Sequence, residues 1–207
     1  TLSVFLMEFA SFLETCDPHD PRPMLISNED LCGFLIGRHE VRDYSAAPAL
    51  MQAVATAVGE VMGASGELVF YLSTRRGGWL DSCHWQLLRA GRMTQAAGAF
   101  ARQFAGAADL GRQVAAIRQA VHPVPVLETA LEDMTGRLGP LQPVLDLLEL
   151  PQHVIDLVPR PARGNSQGSE EVRDALLEIN QSPISDREAQ RQRRQVLRKN
   201  WTRLPKS

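Results

Sequence analysis

Lysine, cysteine and long apolar runs are what this 207-residue chain has least of. Three cysteines (Cys16, Cys32, Cys83), an odd and sparse set, do not make a disulfide scaffold, so a reducing, cytoplasmic setting is the expectation. No stretch approaches the roughly 18 consecutive apolar residues of a membrane-spanning helix, and membrane insertion is not expected. The greasy opening "TLSVFLMEFASFL" has no basic n-region and no small-residue cleavage site, and it contains Glu8. It reads as a buried first element rather than a signal peptide. Because the chain begins at Thr1, its natural start is expected to lie upstream. There is no internal repeat and no G-x-x-x-x-G-K-[ST] phosphate loop.

What the chain does have is an ordinary apolar content of 44% and an uneven distribution of charge. The net charge of −2 hides the split. Between Arg187 and Lys206 stand eight basic residues and one acid, Glu188, whereas the first 186 residues hold 14 basic and 23 acidic ones. A basic tail on an acidic body either contacts nucleic acid or docks on the body itself. Of the 22 basic residues, 20 are arginine, which favours bidentate contacts.

The apolar spacing predicts a mainly helical chain with a small β component. Residues 14–30, with three prolines, form a loop, and the run "LCGFLIG" suggests a short strand or buried turn. Leu50, Val54, Val58 and Val61 recur at helical spacing before Gly63, which is placed to stop that helix. "ELVFYLST" is β-rich, "RRGG" makes a tight turn, and "WLDS" is a candidate partner strand before helix resumes near Cys83. Further helices are expected around Phe100 and Phe104, and over Leu110–Val121. Others are expected over Leu127–Leu138 and Leu141–Leu148. "VPRPARGNSQGS" is a linker, Val172, Leu176 and Ile179 mark another helix, and Ser185 with Glu188 forms a capping box for a last, basic one. The fold class is therefore α+β: a small mixed sheet with a mainly helical C-terminal part. Expected divisions are a core at 1–92, a helical subdomain at 93–158, a linker at 159–169 and C-terminal helices at 170–207.

Chemistry concentrates in "STRRGGWLDSCHW". A strand running into a helix start exposes backbone N–H groups that favour an anion, and Arg75 and Arg76 add charge-assisted donors at the rim. Arg75, Arg76, Ser82 and Cys83 are thus candidate phosphate-binding residues, with Glu60, Asp81 and His84 as candidate catalytic groups. Cys83 is also a candidate nucleophile, set against the alternative of an inert buried thiol. Asp17, His19 and Asp20 are weak metal candidates; as turn residues they would instead bond nearby backbone. "RHEVRD" reads as a solvated charged face. In the tail, Arg191, Arg194, Arg198 and Lys199 suit phosphate neutralisation, and Trp201 suits stacking on a base.

The order of these segments resembles the ParB/sulfiredoxin superfamily. "DPHDPRP" is similar to its proline-containing segment and "ALMQAVATAVGEVMG" to its glycine-terminated helix, while Cys83-His84 in "SCHWQLLRAG" matches the C-H of its G-C-H-R motif. Ser82 stands where that motif has glycine and Trp85 where it has arginine, which moves the expected phosphate contact to Arg75, Arg76 or Arg89. The resemblance covers residues 14–92. Together with the arginine-rich helical extension it implies a fertility-inhibition protein of conjugative plasmids, of the oncogenic-suppression type. Such a protein would be an ATPase and DNase using ATP or another nucleoside triphosphate with magnesium. Its partners would be DNA and a type IV secretion coupling protein. The alternative is a catalytically inactive interaction protein that inhibits a transfer or secretion machine by binding.

Overall fold

The computed structural model describes residues 2–63, 67–161 and 168–201, with Trp201 as backbone only. Among these, the elements run α1 (Leu2–Leu13), α2 (Ala47–Met62), β1 (Phe70–Thr74), α3 (Trp79–Ala90) and α4 (Ala97–Gln103). They continue with α5 (Leu110–Val121), β2 (Val126–Ala130), α6 (Gln142–Leu147), α7 (Gln152–Ile155), α8 (Glu170–Gln181) and α9 (Asp186–Trp201). The fold is α+β, with helix dominant and a sheet of two strands. Two compact units emerge, and their segments interleave along the chain. Residues up to 35, 41–76 and 109–161 form one, and 36–40, 77–108 and the described residues from 168 form the other. The expected divisions were consecutive blocks, and residues 162–167 of the "VPRPARGNSQGS" linker lie outside the described residues.

In the first unit, α2 packs against both α1 and α5 around Ala47, Met51, Val54, Phe70, Ile117 and Val121. The α2 helix starts with proline in its first turn, where no N–H is needed, and stops at Gly63, whose positive φ (61°) glycine tolerates. Helix α5 is capped by Asp109, whose carboxylate accepts from the Arg112 N–H at 2.9 Å. Helix α1 is only half the buried element its composition suggests. Phe5 and Phe9 pack on the core, while Leu2, Val4, Met7 and Phe12 are exposed.

Two local expectations are corrected here. The glycine turn does not lead to a hairpin. A tight type I′ turn needs two successive left-handed residues, but of Gly77 and Gly78 only Gly78 (φ 62°) is left-handed, and it becomes the residue preceding α3. "WLDS" is therefore the first turn of α3. The partner of β1 is instead β2, aligned in parallel from Phe70↔Val126 to Thr74↔Ala130. The apolar spacing from Leu127 to Leu138 suggested helix, yet Pro123 and Pro125 bias the chain toward extended conformation, and Val126 and Thr129 are β-branched. The Phe70 N–H donates to the Pro125 carbonyl at 2.9 Å, which sets the register. The "LCGFLIG" run forms turns, with no strand among the described residues.

In the second unit, α3 packs against α4 and α8, and α8 against α9, around Trp85, Leu88, Val172 and Leu176. Gly37 (φ 83°) lies so close to Leu87 and Phe100 that a Cβ would come within 2.9 Å of both. The Gly168 backbone rests on the Trp85 ring, where a Cβ would approach to 2.5 Å.

Candidate nucleic-acid interface

Helix α9 begins with one half of the expected capping box: the Ser185 hydroxyl accepts from the Glu188 N–H at 3.3 Å, while the Glu188 carboxylate is engaged by Arg191 and Gln192. Acids in its first turn (Asp186, Glu188) and bases in its last (Arg198, Lys199) complement the helix dipole. Its two sides differ sharply. Ala189 and Arg193 are buried, and Val196 and Leu197 are half-buried against the Trp85 cluster. Arg187, Arg191, Arg194, Arg198 and Lys199 are exposed on one shared face, interrupted among the described residues by a single carboxylate, Glu188. Arg187, Arg191, Arg194 and Arg198 follow the i, i+4, i+7, i+11 rule of a helical stripe, about 16 Å long at 1.5 Å per residue.

Glu188 accepts from Arg191 and from Gln192, both at 2.9 Å. These bonds, the arginine's foremost, hold its carboxyl below the usual range, and the same carboxylate raises Arg191. Arg187 was not among the residues first picked for nucleic acid, although the stripe spacing was sufficient to include it. The Trp201 side chain, Arg203 and Lys206 lie outside the described residues.

The orientation of this face is set by a polar lock beneath it. The Arg193 guanidinium donates to the Asn180 side-chain oxygen at 2.7 Å, and the Asn180 amide donates to the Leu88 carbonyl at 3.3 Å. Arg92 donates to the Asn180 carbonyl (3.1 Å), to Asp186 (2.6 Å) and to the Ser182 carbonyl, binding the α8–α9 turn. Burial, aided by the Arg92 charge and opposed by Asp186, lowers the Arg193 pKa from its ordinary value. Arg193 thus counts toward the tail's charge but serves packing.

The residues expected to bind phosphate fall in both units. Arg75 lies 3.9 Å from Glu132. The Arg76 backbone N–H donates to the Glu132 carboxylate at 3.2 Å, and its guanidinium forms a bidentate pair with Asp133. These contacts belong to the first unit, as does exposed Glu60, whereas Asp81, Ser82, Cys83 and His84 belong to the second. Since α3 starts at Trp79, the Ser82 N–H already donates to the Gly78 carbonyl at 3.0 Å, and the next amides enter the helical ladder. The expected anion nest is therefore not formed by Ser82–His84. Asp81 is exposed in the first turn of α3; Cys83 and His84 are buried further along it.

Asp17 accepts from the His19 N–H (2.9 Å), while Asp20 accepts from the Arg22 N–H (3.0 Å) and pairs with its guanidinium (2.6 Å). Those side-chain bonds, chiefly the Arg22 side chain's, lower the Asp20 pKa. Among the described residues no group of three His, Cys, Asp or Glu is placed to hold a metal ion, and no helix is long and apolar enough to cross a membrane. Comparison with protein-family models, curated proteins and solved structures finds no match.

Proposed function

We propose that the chain is a DNA-binding protein whose contact surface is the exposed face of α9. The observation that carries this reading is the arginine stripe: four guanidinium groups at helical spacing on one side, with the opposite side committed to packing. Duplex DNA presents a negative charge about every 1.7 Å of its axis, so a 16 Å stripe faces more phosphates than it has cations. A helix of about 10–12 Å diameter also suits the roughly 12 Å width of the major groove. A membrane surface fits less well, because a helix lying on lipid needs an apolar face to bury, and α9 spends its apolar residues on the Trp85 cluster. The excess of acids in the first 186 residues disfavours phosphate elsewhere and restricts the contact to this face.

The geometry supports an interaction protein more than a hydrolase. Arg75 and Arg76 contact carboxylates, and the amides from Ser82 onward are used within α3. Inhibition of conjugative transfer through DNA, or through a type IV secretion coupling protein, remains the biological setting that the ParB/sulfiredoxin resemblance implies. The test is fluorescence anisotropy with a labelled 20-base-pair duplex. Replacing Arg187, Arg191, Arg194 and Arg198 by alanine should weaken binding by at least about a hundredfold at low salt, since each phosphate contact is charge-assisted. Unchanged affinity in a folded variant would refute the assignment. Calorimetry with magnesium and ATP separates the hydrolytic reading: a triphosphate complex lost in Arg75→Ala/Arg76→Ala would favour it over pure binding.

A further inference from the structure

Among the described residues, every exposed large hydrophobic side chain belongs to the first unit, and Leu131, Leu141, Leu147 and Leu157 crowd into residues 131–158. This stretch has thirteen large apolar residues, of which Leu138 and Ile155 alone are buried. Helix α6 shows the deficit most clearly. Leu141, just before it, stands with Val144, Leu145 and Leu148 at i, i+3, i+4 and i+7, the spacing of a core-facing stripe. On α5 such spacing buries Val114, Ile117 and Val121, and on α8 it buries Val172 and Leu176. On α6 it buries nothing: Leu141 is 43% exposed, and the helix packs chiefly on the turn it starts from, Gly139–Leu141. An apolar stripe of this kind, left without a core, is what a partner helix lies against.

The charges beside the stripe select its occupant. Arg137 is the one arginine or lysine in residues 131–158, and it donates to the carbonyls of Ile155 and Val158, both at 2.9 Å. Those bonds tie the segment before α6 to the end of α7, where Leu157 stands 80% exposed. Of the five acids in the stretch, Glu132 and Asp133 are matched by Arg75 and Arg76. Asp146 and Asp156 accept from the neutral amides of Gln142 (2.8 Å) and Gln152 (2.9 Å). With exposed Glu149, they have no ion pair among the described residues. Three uncompensated carboxylates beside an apolar stripe favour a cationic partner and disfavour nucleic acid and anionic lipid. A second copy of this chain fits poorly: its cations crowd on α9, whose Val196 and Leu197 are already packed on the Trp85 cluster. We propose that α6 and its flanking turns dock a basic amphipathic helix of a partner protein. Its apolar side lies on Leu141, Val144, Leu145 and Leu148, and its lysines or arginines face Asp146, Glu149 and Asp156. The surface is independent of the arginine stripe.

The probe is a fluorescein-labelled helical peptide with leucine at i, i+3, i+4 and i+7 and lysine elsewhere, followed by anisotropy as the full chain is added. It should bind saturably, one peptide per chain. Peptides with glutamate for lysine, or with glutamine for leucine, should each bind at least about tenfold more weakly. On the protein, Leu141→Gln/Leu157→Gln should weaken binding by about tenfold or more. Asp146→Asn/Glu149→Gln/Asp156→Asn should do the same, since three exposed ion pairs together amount to about that factor. All five positions are exposed, so the thermal transition of both variants should match wild type. Glu14→Gln/Glu29→Gln, which neutralises acids of the same unit outside this stretch, should bind normally, as should the arginine-stripe variant. The proposal is overturned by no saturable binding, by equal binding of either control peptide, or by undiminished affinity in Leu141→Gln/Leu157→Gln. It is equally overturned if Glu14→Gln/Glu29→Gln loses as much as the triple variant. Light scattering on the chain alone checks the other occupant: a dimer that Leu141→Gln/Leu157→Gln dissociates would give this face to a second copy and refute the proposal.

Discussion

Replacing Asn180 by leucine should destabilise the protein by about 2–4 kcal/mol, although it swaps one buried side chain for another of similar size. Asn180 is 1% exposed and Arg193 7%. The substitution removes the 2.7 Å acceptor from a buried guanidinium, and a hydrogen bond to a charged group is worth about 1.5–3 kcal/mol. It also leaves the Leu88 carbonyl without its 3.3 Å donor, a weaker contact that adds up to about 1 kcal/mol. Arg193→Met alone should cost less, about 1–3 kcal/mol, because the arginine's Nε is buried without a partner and its removal relieves that loss. The double variant replaces both members by apolar groups and should come within about 1.5 kcal/mol of wild type. Urea denaturation followed by far-UV circular dichroism, with slopes compared as well as midpoints, measures all three. If the two single costs simply add in the double variant, to within about 0.5 kcal/mol, Asn180 and Arg193 are not coupled and the lock does not exist.

Gly37→Ala should cost about 1–3 kcal/mol in thermal unfolding, since a Cβ there meets Leu87 and Phe100 at 2.9 Å on a left-handed backbone. Arg76→Ala should change stability by less than about 1 kcal/mol, because its pair with Asp133 is exposed. Glu188→Gln should tighten DNA binding by up to about fivefold, as the carboxylate that interrupts the described basic face is neutralised and Arg191 is released toward phosphate. The Glu188 carboxyl is held below its ordinary pKa in the folded protein. Its small contribution to stability is thus present above the ordinary carboxylate range and lost as pH falls through the lowered value. A pH series on wild type and Glu188→Gln should converge at low pH.

The parts of this molecule legible in the sequence are those governed by neighbours within a few residues. Helices α2, α5 and α8 follow from apolar spacing, the stop at Gly63 from glycine's tolerance of a positive φ, and α9 with its Ser185 cap from the distance to Glu188. The pairing of β1 with β2 joins residues 56 apart, such as Phe70 and Val126, and no local pattern encodes that choice. Arg75 and Arg76 read as phosphate ligands because Glu132 and Asp133, which engage them, lie as far away. Charge counting likewise assigns Arg193 to the solvent, whereas the helical phase of Ala189 and Arg193 turns it inward. Three of the stripe's four arginines, Arg191, Arg194 and Arg198, were picked from the charge of the tail, and Arg187 was missed although it falls on the same helical period.

The most direct test of DNA binding through α9 is the salt dependence of affinity for a 20-base-pair duplex between roughly 50 and 200 mM salt. Each neutralised phosphate contributes about −0.9 to the slope of log K against log salt, so four stripe arginines predict a slope near −4. The variant with Arg187, Arg191, Arg194 and Arg198 replaced by alanine should fall to about −1 or flatter. A wild-type slope near zero, or a variant that keeps the wild-type slope, would contradict the assignment of α9 as the DNA-binding face.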